Sequence, residues 1–355
     1  MLPTSNKKSA ADYPIPMSRF LKSKYLWPIL GLLLSGLTLT LALQKVSLWE
    51  VWREIRQADA LWVSLAVLSV LVNILLKGIR WYRLTAEVGR RAGIPRVIAA
   101  NVAGQLLNFI YPARAGDVSR VLIVGQGGRE KAYALGSVVL EKLIDLAAYA
   151  LLAVVLLILL PLPDWLARPV TLASAVAVAG LVFVGWWVSD AQRGERLGFW
   201  LASRKAGWLP VKAWAQFVEW VQIGLSALEL VRERKRALEF TFWTALVWFT
   251  ALLNNLLIWF ALDMNTSNPG EALPAALLLL VGLMAGIAVP SVPGRIGIFE
   301  YICILALAVF QIDKTQALTY GITLHAVIFL PALVLGAAAL LWLSWSIPRE
   351  ASAAE

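Results

Sequence analysis

The chain has 355 residues, 60% hydrophobic and 15% charged, with a mean hydropathy of +0.72 and a formal net charge of +10. A soluble domain carries about a quarter charged residues, and several runs here reach the roughly 20 apolar residues that cross a bilayer. A soluble fold is therefore excluded, and an all-α polytopic membrane bundle is expected. The one cysteine, Cys303, excludes an intramolecular disulfide and a cysteine-based metal site, and the one histidine, His325, argues against His-ligated metal.

A tail bearing Lys7, Lys8, Arg19, Lys22 and Lys24 (1–24) precedes the first apolar run, Leu26 to Leu43. That run is longer than a signal-peptide core and lacks a clear cleavage site, so it reads as a retained span. Further runs at 60–77, 132–160, 169–189, 239–262 and 320–346 bring the expectation to six full spans. Two other regions, 97–126 and 274–311, are apolar but broken by Pro, Gly and charge. They read as re-entrant helical hairpins, or as extra spans in a bundle of eight or more helices. One membrane half then covers 25–189 and the other 239–347, with a short tail at 348–355.

Lys and Arg test this threading. The segments placed in the cytoplasm hold 25 of them, the outer loops hold 5, and Lys142 and Arg295 stay within the membrane. That split predicts both termini inside a plasma membrane. Between them, 190–238 is polar and basic. After Pro210, the residues Trp214, Phe217, Val218, Val221, Leu225 and Leu228 recur at helical spacing, the mark of an amphipathic helix. Such a helix lies along the interface or packs on the bundle.

In "VPSVPGRIGIFE", a helix from Pro274 to Val289 is about 24 Å long at about 1.5 Å per residue. It nearly crosses the hydrocarbon before Pro290 ends it, and a second helix can start at Pro293. Proline suits a helix start and glycine a tight turn. Irregular backbone at that depth persists only when buried in protein or lining a wet cavity. "NVAGQLLNFIYPARAGDVSR" has the same grammar and enters from the opposite face, the pattern of inverted repeats in transporters. Similarity between the two segments is too weak to establish a repeat. In "GSVVLEKLIDLAAY", Glu141 and Asp145 share one helix face. Two such acids raise each other's proton affinity or call for a cation such as Arg114 or Arg120. Glu141, Lys142, Asp145, Arg295 and Glu300 would together cost about 12–17 kcal/mol if central and unpaired. They must be paired, hydrated or near the interface.

The motifs "YPARAGDVSR", "VVLEKLIDLAAY" and "VPSVPGRIGIFE", with "RWYRL" at Arg80 to Leu84, resemble the lysylphosphatidylglycerol synthase transmembrane-region family of flippase-like membrane proteins. The likeness covers about residues 25–347. It implies movement of lipids or glycolipids between leaflets. It marks Pro112, Arg114, Gly116, Asp117, Arg120, Glu141, Asp145, Pro290, Pro293, Gly294, Gly297 and Glu300. Three positions depart from the family pattern. Arg295 stands where a second glycine is common, Lys142 where arginine is usual, and His325 where arginine is common. Arg295 points to a more anionic substrate. No room remains after Trp345 for a synthase domain, so lipid aminoacylation is not expected.

The leading expectation is a lipid translocase with no catalytic residues, metal or cofactor. Arg114, Arg120, Arg295 and Asn108 would bind the headgroup. Asp117, Glu141, Lys142, Asp145, Glu300 and His325 would form a polar or proton-coupling network. Pro112, Gly116, Pro290, Pro293, Gly294 and Gly297 would set turn geometry. No nucleotide-binding loop is present, so transport is downhill or driven by an ion gradient. Membrane lipids are the expected partners and nucleic acid is not; a homo-oligomer remains open. The rivals are an accessory subunit of a lipid- or glycan-modifying enzyme and a membrane-embedded transferase on a lipid-linked substrate. In the transferase, Asp117, Glu141 or Asp145 would act as base or metal ligand, although no Asp-x-Asp pair occurs.

Overall fold

A computed structural model of the chain describes residues 17–111, 115–190, 192–203, 211–226, 232–264, 269–286 and 292–346. Among the described residues the structure is helical, with no strand. Four helices are long and apolar enough to cross a membrane: α3 (Ala60–Leu84), α7 (Gly128–Leu159), α11 (Arg234–Ala261) and α14 (Lys314–Ser346). The expected run at 169–189 falls on α8 (Asp164–Val188), and the first run on α1 (Met17–Leu43). After α1 the chain bends by 79° into α2 (Leu48–Gln57). The sequence reading placed Arg53 and Arg56 in an outer loop; they lie on this amphipathic helix, capped by Ser47 Oγ accepting from the Glu50 N–H at 3.4 Å.

Pairings along the helices fix the topology. The Asp59 N–H donates to the Ala261 carbonyl at 2.9 Å, Ser69 Oγ to the Thr250 carbonyl at 3.0 Å, and Asn73 Nδ2 to the Val247 carbonyl at 2.7 Å. α3 and α11 are therefore antiparallel, with 59 and 261 at one end of the bundle and 84 and 234 at the other. Lys314 Nζ, at the start of α14, donates to the carbonyls of Leu41 and Gln44 at the close of α1.

Both broken regions are helical hairpins. α5 (Ile94–Ile110) and α6 (Ala115–Val124) form the first, α4 (Ala86–Ala92) preceding it. Arg120 meets Asn101 at 2.9 Å, and Gly116 lies against Gly104 so closely that a Cβ on Gly116 would strike the Gly104 carbonyl. The second joins α12 (Ala272–Gly286) to α13 (Ile298–Ala308) through a turn at Pro293–Arg295. The first enters from the end holding residue 84 and the second from the end holding residue 261, so they penetrate from opposite sides, as the sequence reading expects. α12 is buried at every residue from Ala275 to Val281, as suits a helix apolar all round.

The amphipathic segment forms α10 (Val211–Ser226), beside α9 (Gln192–Ser203). Val218 is buried, Glu219 pairs with Arg129 at the start of α7 at 3.7 Å, and Trp214 Nε1 donates to the Leu201 carbonyl at 3.0 Å. α10 thus packs against the start of α7. Leu228 falls outside the described residues.

Candidate functional site

Two polar centres sit within the bundle. The first is an ion cluster. Arg80 of α3 is 1% exposed, and its guanidinium holds Asp145 Oδ1 at 2.7 Å, Asp145 Oδ2 at 3.1 Å, Glu141 Oε1 at 3.2 Å and Thr244 Oγ1 at 3.3 Å. Arg120 of α6 approaches Glu141 Oε2 at 2.7 Å from the other side and reaches Asp117 Oδ1 at 3.2 Å. Its guanidinium lies over the Trp81 ring at 4.7 Å, a cation–π contact, while Trp81 Nε1 donates to Ser137 Oγ at 3.2 Å. Lys142 Nζ is 3.7 Å from Asp117, and Asn108 Nδ2 donates to Asp117 at 3.3 Å.

Three cations therefore meet three carboxylates across α3, α6 and α7. Burying charge without partners is what the insertion cost penalises, and here each charge has a partner of opposite sign. The cation that Glu141 and Asp145 call for is supplied by Arg120 and by Arg80. Arg120, Asn108, Asp117, Glu141, Lys142 and Asp145 are brought together. Arg114, Pro112 and Pro290 lie outside the described residues.

The second centre is where the hairpin tips converge. Arg295, in the turn of the second hairpin, stands over the Phe109 ring near the end of α5, 5.5 Å away. Phe109 meets Phe329 of α14 edge-on at 5.5 Å. Glu300 Oε2 accepts from the Gly297 N–H at 2.7 Å, a carboxylate reaching back to the start of its own helix, and Oε1 lies 2.6 Å from His325 Nδ1. The His325 ring stacks on Phe299 at 4.4 Å. Gly294 and Gly297 have φ of 76° and 90°, and a Cβ on Gly297 would come within 2.5 Å of the Ser35 carbonyl of α1. Only glycine fits both that conformation and that approach. Arg295 also has φ of 60°. The resemblance leads one to expect glycine there, and the arginine keeps a glycine-like backbone at a cost on the order of 1 kcal/mol.

A cavity of about 210 Å³ opens at this junction, walled by α3, α5, α11, α12, α13 and α14. Its polar wall includes Asn73, Lys77, Thr250 and Asn254, with Arg295 and His325 from the second hairpin and α14. Among the described lining residues none is acidic. Arg295 and His325 are sequence-predicted site residues that line it; Arg120 is in the ion cluster instead. Lys77, Asn73, Asn254 and Arg80 are what the sequence reading missed. Lys77 and Arg80 were counted with the cytoplasmic loop and Arg120 with the segment from Arg114 to Lys131; all three lie inside the bundle, which lowers the inner count from 25 to 22.

The sequence profile of the family described as "Lysylphosphatidylglycerol synthase TM region" matches residues 29–336. Among curated proteins, the Glycosyltransferase AglD of Haloferax volcanii is 33% identical over 132 residues, 37% of this chain and 21% of that protein. The chain thus aligns with about a fifth of that relative's length.

Proposed function

The chain belongs to the lysylphosphatidylglycerol synthase TM region family, and from that premise we propose that it is a flippase-like translocase of a phospholipid or glycolipid. It binds an anionic headgroup in a polar cavity within the bundle. The observation that carries this reading is the cavity at the meeting of the two hairpins, with Lys77 and Arg295 on its wall and no acidic lining residue among those described. Two helix breaks aimed at one point from opposite ends suit a path that opens to each side in turn. The ion cluster braces α3, α6 and α7 beside that path. We place the protein in the plasma membrane with both termini in the cytoplasm, following the distribution of Lys and Arg. The reading assigns the chain no chemical step of its own.

Leaflet exchange in proteoliposomes tests the proposal, with headgroup-labelled lipids and a membrane-impermeant quencher. Exchange of an anionic lipid is expected above protein-free liposomes, and it falls in Arg295→Ala and Glu141→Gln at matched incorporation. Exchange unchanged in both variants rejects the site. No exchange for any lipid rejects translocation.

The partial likeness to a protein named as a glycosyltransferase favours a second reading, an accessory membrane subunit of a lipid- or glycan-modifying enzyme. A stable partner enzyme that co-purifies, with no exchange by this chain alone, would select it.

A further inference from the structure

The polar groups inside the bundle differ in how fully the protein itself satisfies them. In the ion cluster every charge is met by its opposite, although the Nε atoms of Arg80 and Arg120 make no hydrogen bond. At the hairpin, Glu300 is taken by His325 and the Gly297 N–H. Around the cavity, Asn73 spends its amide N–H groups on Val247 and Thr250, and Asn255 donates to the Ala251 carbonyl.

Two lining residues stand apart. Lys77 lies three residues before Arg80 on α3, yet Arg80 takes both Asp145 oxygens and Glu141 Oε1. Among the described residues nothing makes a hydrogen bond or ion pair with the Lys77 ammonium. Asn254 of α11 is 3% exposed, its Oδ1 is buried without a partner, and no hydrogen bond to its amide is found among the described residues. A buried amide is ordinarily satisfied, and an ammonium on an apolar helix ordinarily finds an anion; Lys77 is half-buried. Both residues line the same cavity, and Arg295 lines it with them.

Resting on the translocase reading, we infer that Lys77 and Asn254 form the seat for the phosphate of an anionic lipid headgroup. The ammonium donates to phosphate oxygens, Asn254 Nδ2 donates to an oxygen of the phosphate, and Asn254 Oδ1 accepts from an adjacent hydroxyl of the headgroup. Arg295 adds a second positive charge from the hairpin turn. An ammonium binds phosphate as a point charge and tolerates several orientations, which suits a ligand that must leave again. The volume of about 210 Å³ is that of roughly seven waters at about 30 Å³ each. It admits a phosphate with a small hydroxylated group. A choline or ethanolamine headgroup would bring its own cation against Lys77 and Arg295.

Equilibrium binding to the full chain in neutral detergent tests this, using short-chain phosphatidylglycerol, short-chain phosphatidylcholine and glycerol 3-phosphate as probes. Phosphatidylglycerol is expected to bind the wild type most tightly. Lys77→Gln should weaken it about tenfold or more, the equivalent of about 1.4 kcal/mol, and Lys77→Arg should restore most of the loss. Asn254→Leu should weaken it severalfold, and it carries the test if Lys77→Gln does not fold. Arg129→Gln, which removes an exposed cation that does not line the cavity, should leave it unchanged. Unaltered affinity in Lys77→Gln and Asn254→Leu overturns the site, as does equal affinity for phosphatidylcholine. Glycerol 3-phosphate binding as tightly as the lipid overturns the lipid source in favour of a soluble phosphate. No leaflet exchange is involved, so lost transport with this binding intact would count against translocation alone.

Discussion

Arg80→Met removes the cation on which the carboxylates of α7 converge while keeping most of the side-chain volume. Asp145 loses both of its contacts to Arg80, at 2.7 and 3.1 Å, and has no other salt-bridge partner among the described residues. Glu141 keeps Arg120 at 2.7 Å. The loss therefore falls mainly on Asp145, whose side chain is 28% exposed and recovers part of its hydration. Removing one partner of a buried pair costs about 3–5 kcal/mol, and the exposure of Asp145 places this case near the lower figure. A cost of about 3 kcal/mol lowers the melting temperature on the order of 5 °C in a chain this size. Asp145→Asn costs less, and the double variant should fall short of the sum of the singles by about 1–3 kcal/mol, the signature of residues in direct contact. Thermal unfolding in detergent, followed through the 17 tryptophans, reads all three variants. Strictly additive single effects, or an unshifted transition in Arg80→Met, would refute the claim that this arginine holds α3 to α7.

Two further perturbations address the hairpins. Gly116→Ala drives a methyl group into the Gly104 carbonyl, so it should separate α5 from α6 at a cost of about 1–3 kcal/mol; a lowered melting temperature and faster proteolysis of the hairpin check it. Glu300→Gln leaves His325 Nδ1 and the Gly297 N–H facing a neutral amide, and Phe299 loses a fixed stacking partner. It should slow leaflet exchange more than it lowers the melting temperature, and the reverse order would make Glu300 a purely structural brace.

The hairpins were legible because Pro and Gly interrupt otherwise continuous apolar runs, and a break in a helix is a local event. The need of Glu141 and Asp145 for a cation such as Arg120 was also legible, since unpaired charges in hydrocarbon demand each other. Arg80 was not. It precedes Trp81 and Tyr82 near the close of an apolar run, where a cation ordinarily snorkels toward water, and only the rotation of α3 against α7 turns it inward. Lys77 misled for the same reason. Asn254 sits in a run whose length and hydropathy already account for it as a span, and its lack of a partner is a property of packing. α2 was missed because ten residues with four charges read as loop until Ser47 caps them.

The charge balance of the ion cluster limits how this sequence can drift. Three positive and three negative groups are packed together, with Arg80, Arg120 and Glu141 buried among them, so changing any one alone leaves an unbalanced charge beside apolar side chains that cannot screen it. Positions 80, 117, 120, 141, 142 and 145 are therefore bound into one unit of inheritance. A relative that has lost an acid among them should have lost or neutralised a base as well, and an exchange such as lysine for arginine at 142, which keeps the sign, is the change that can be made alone.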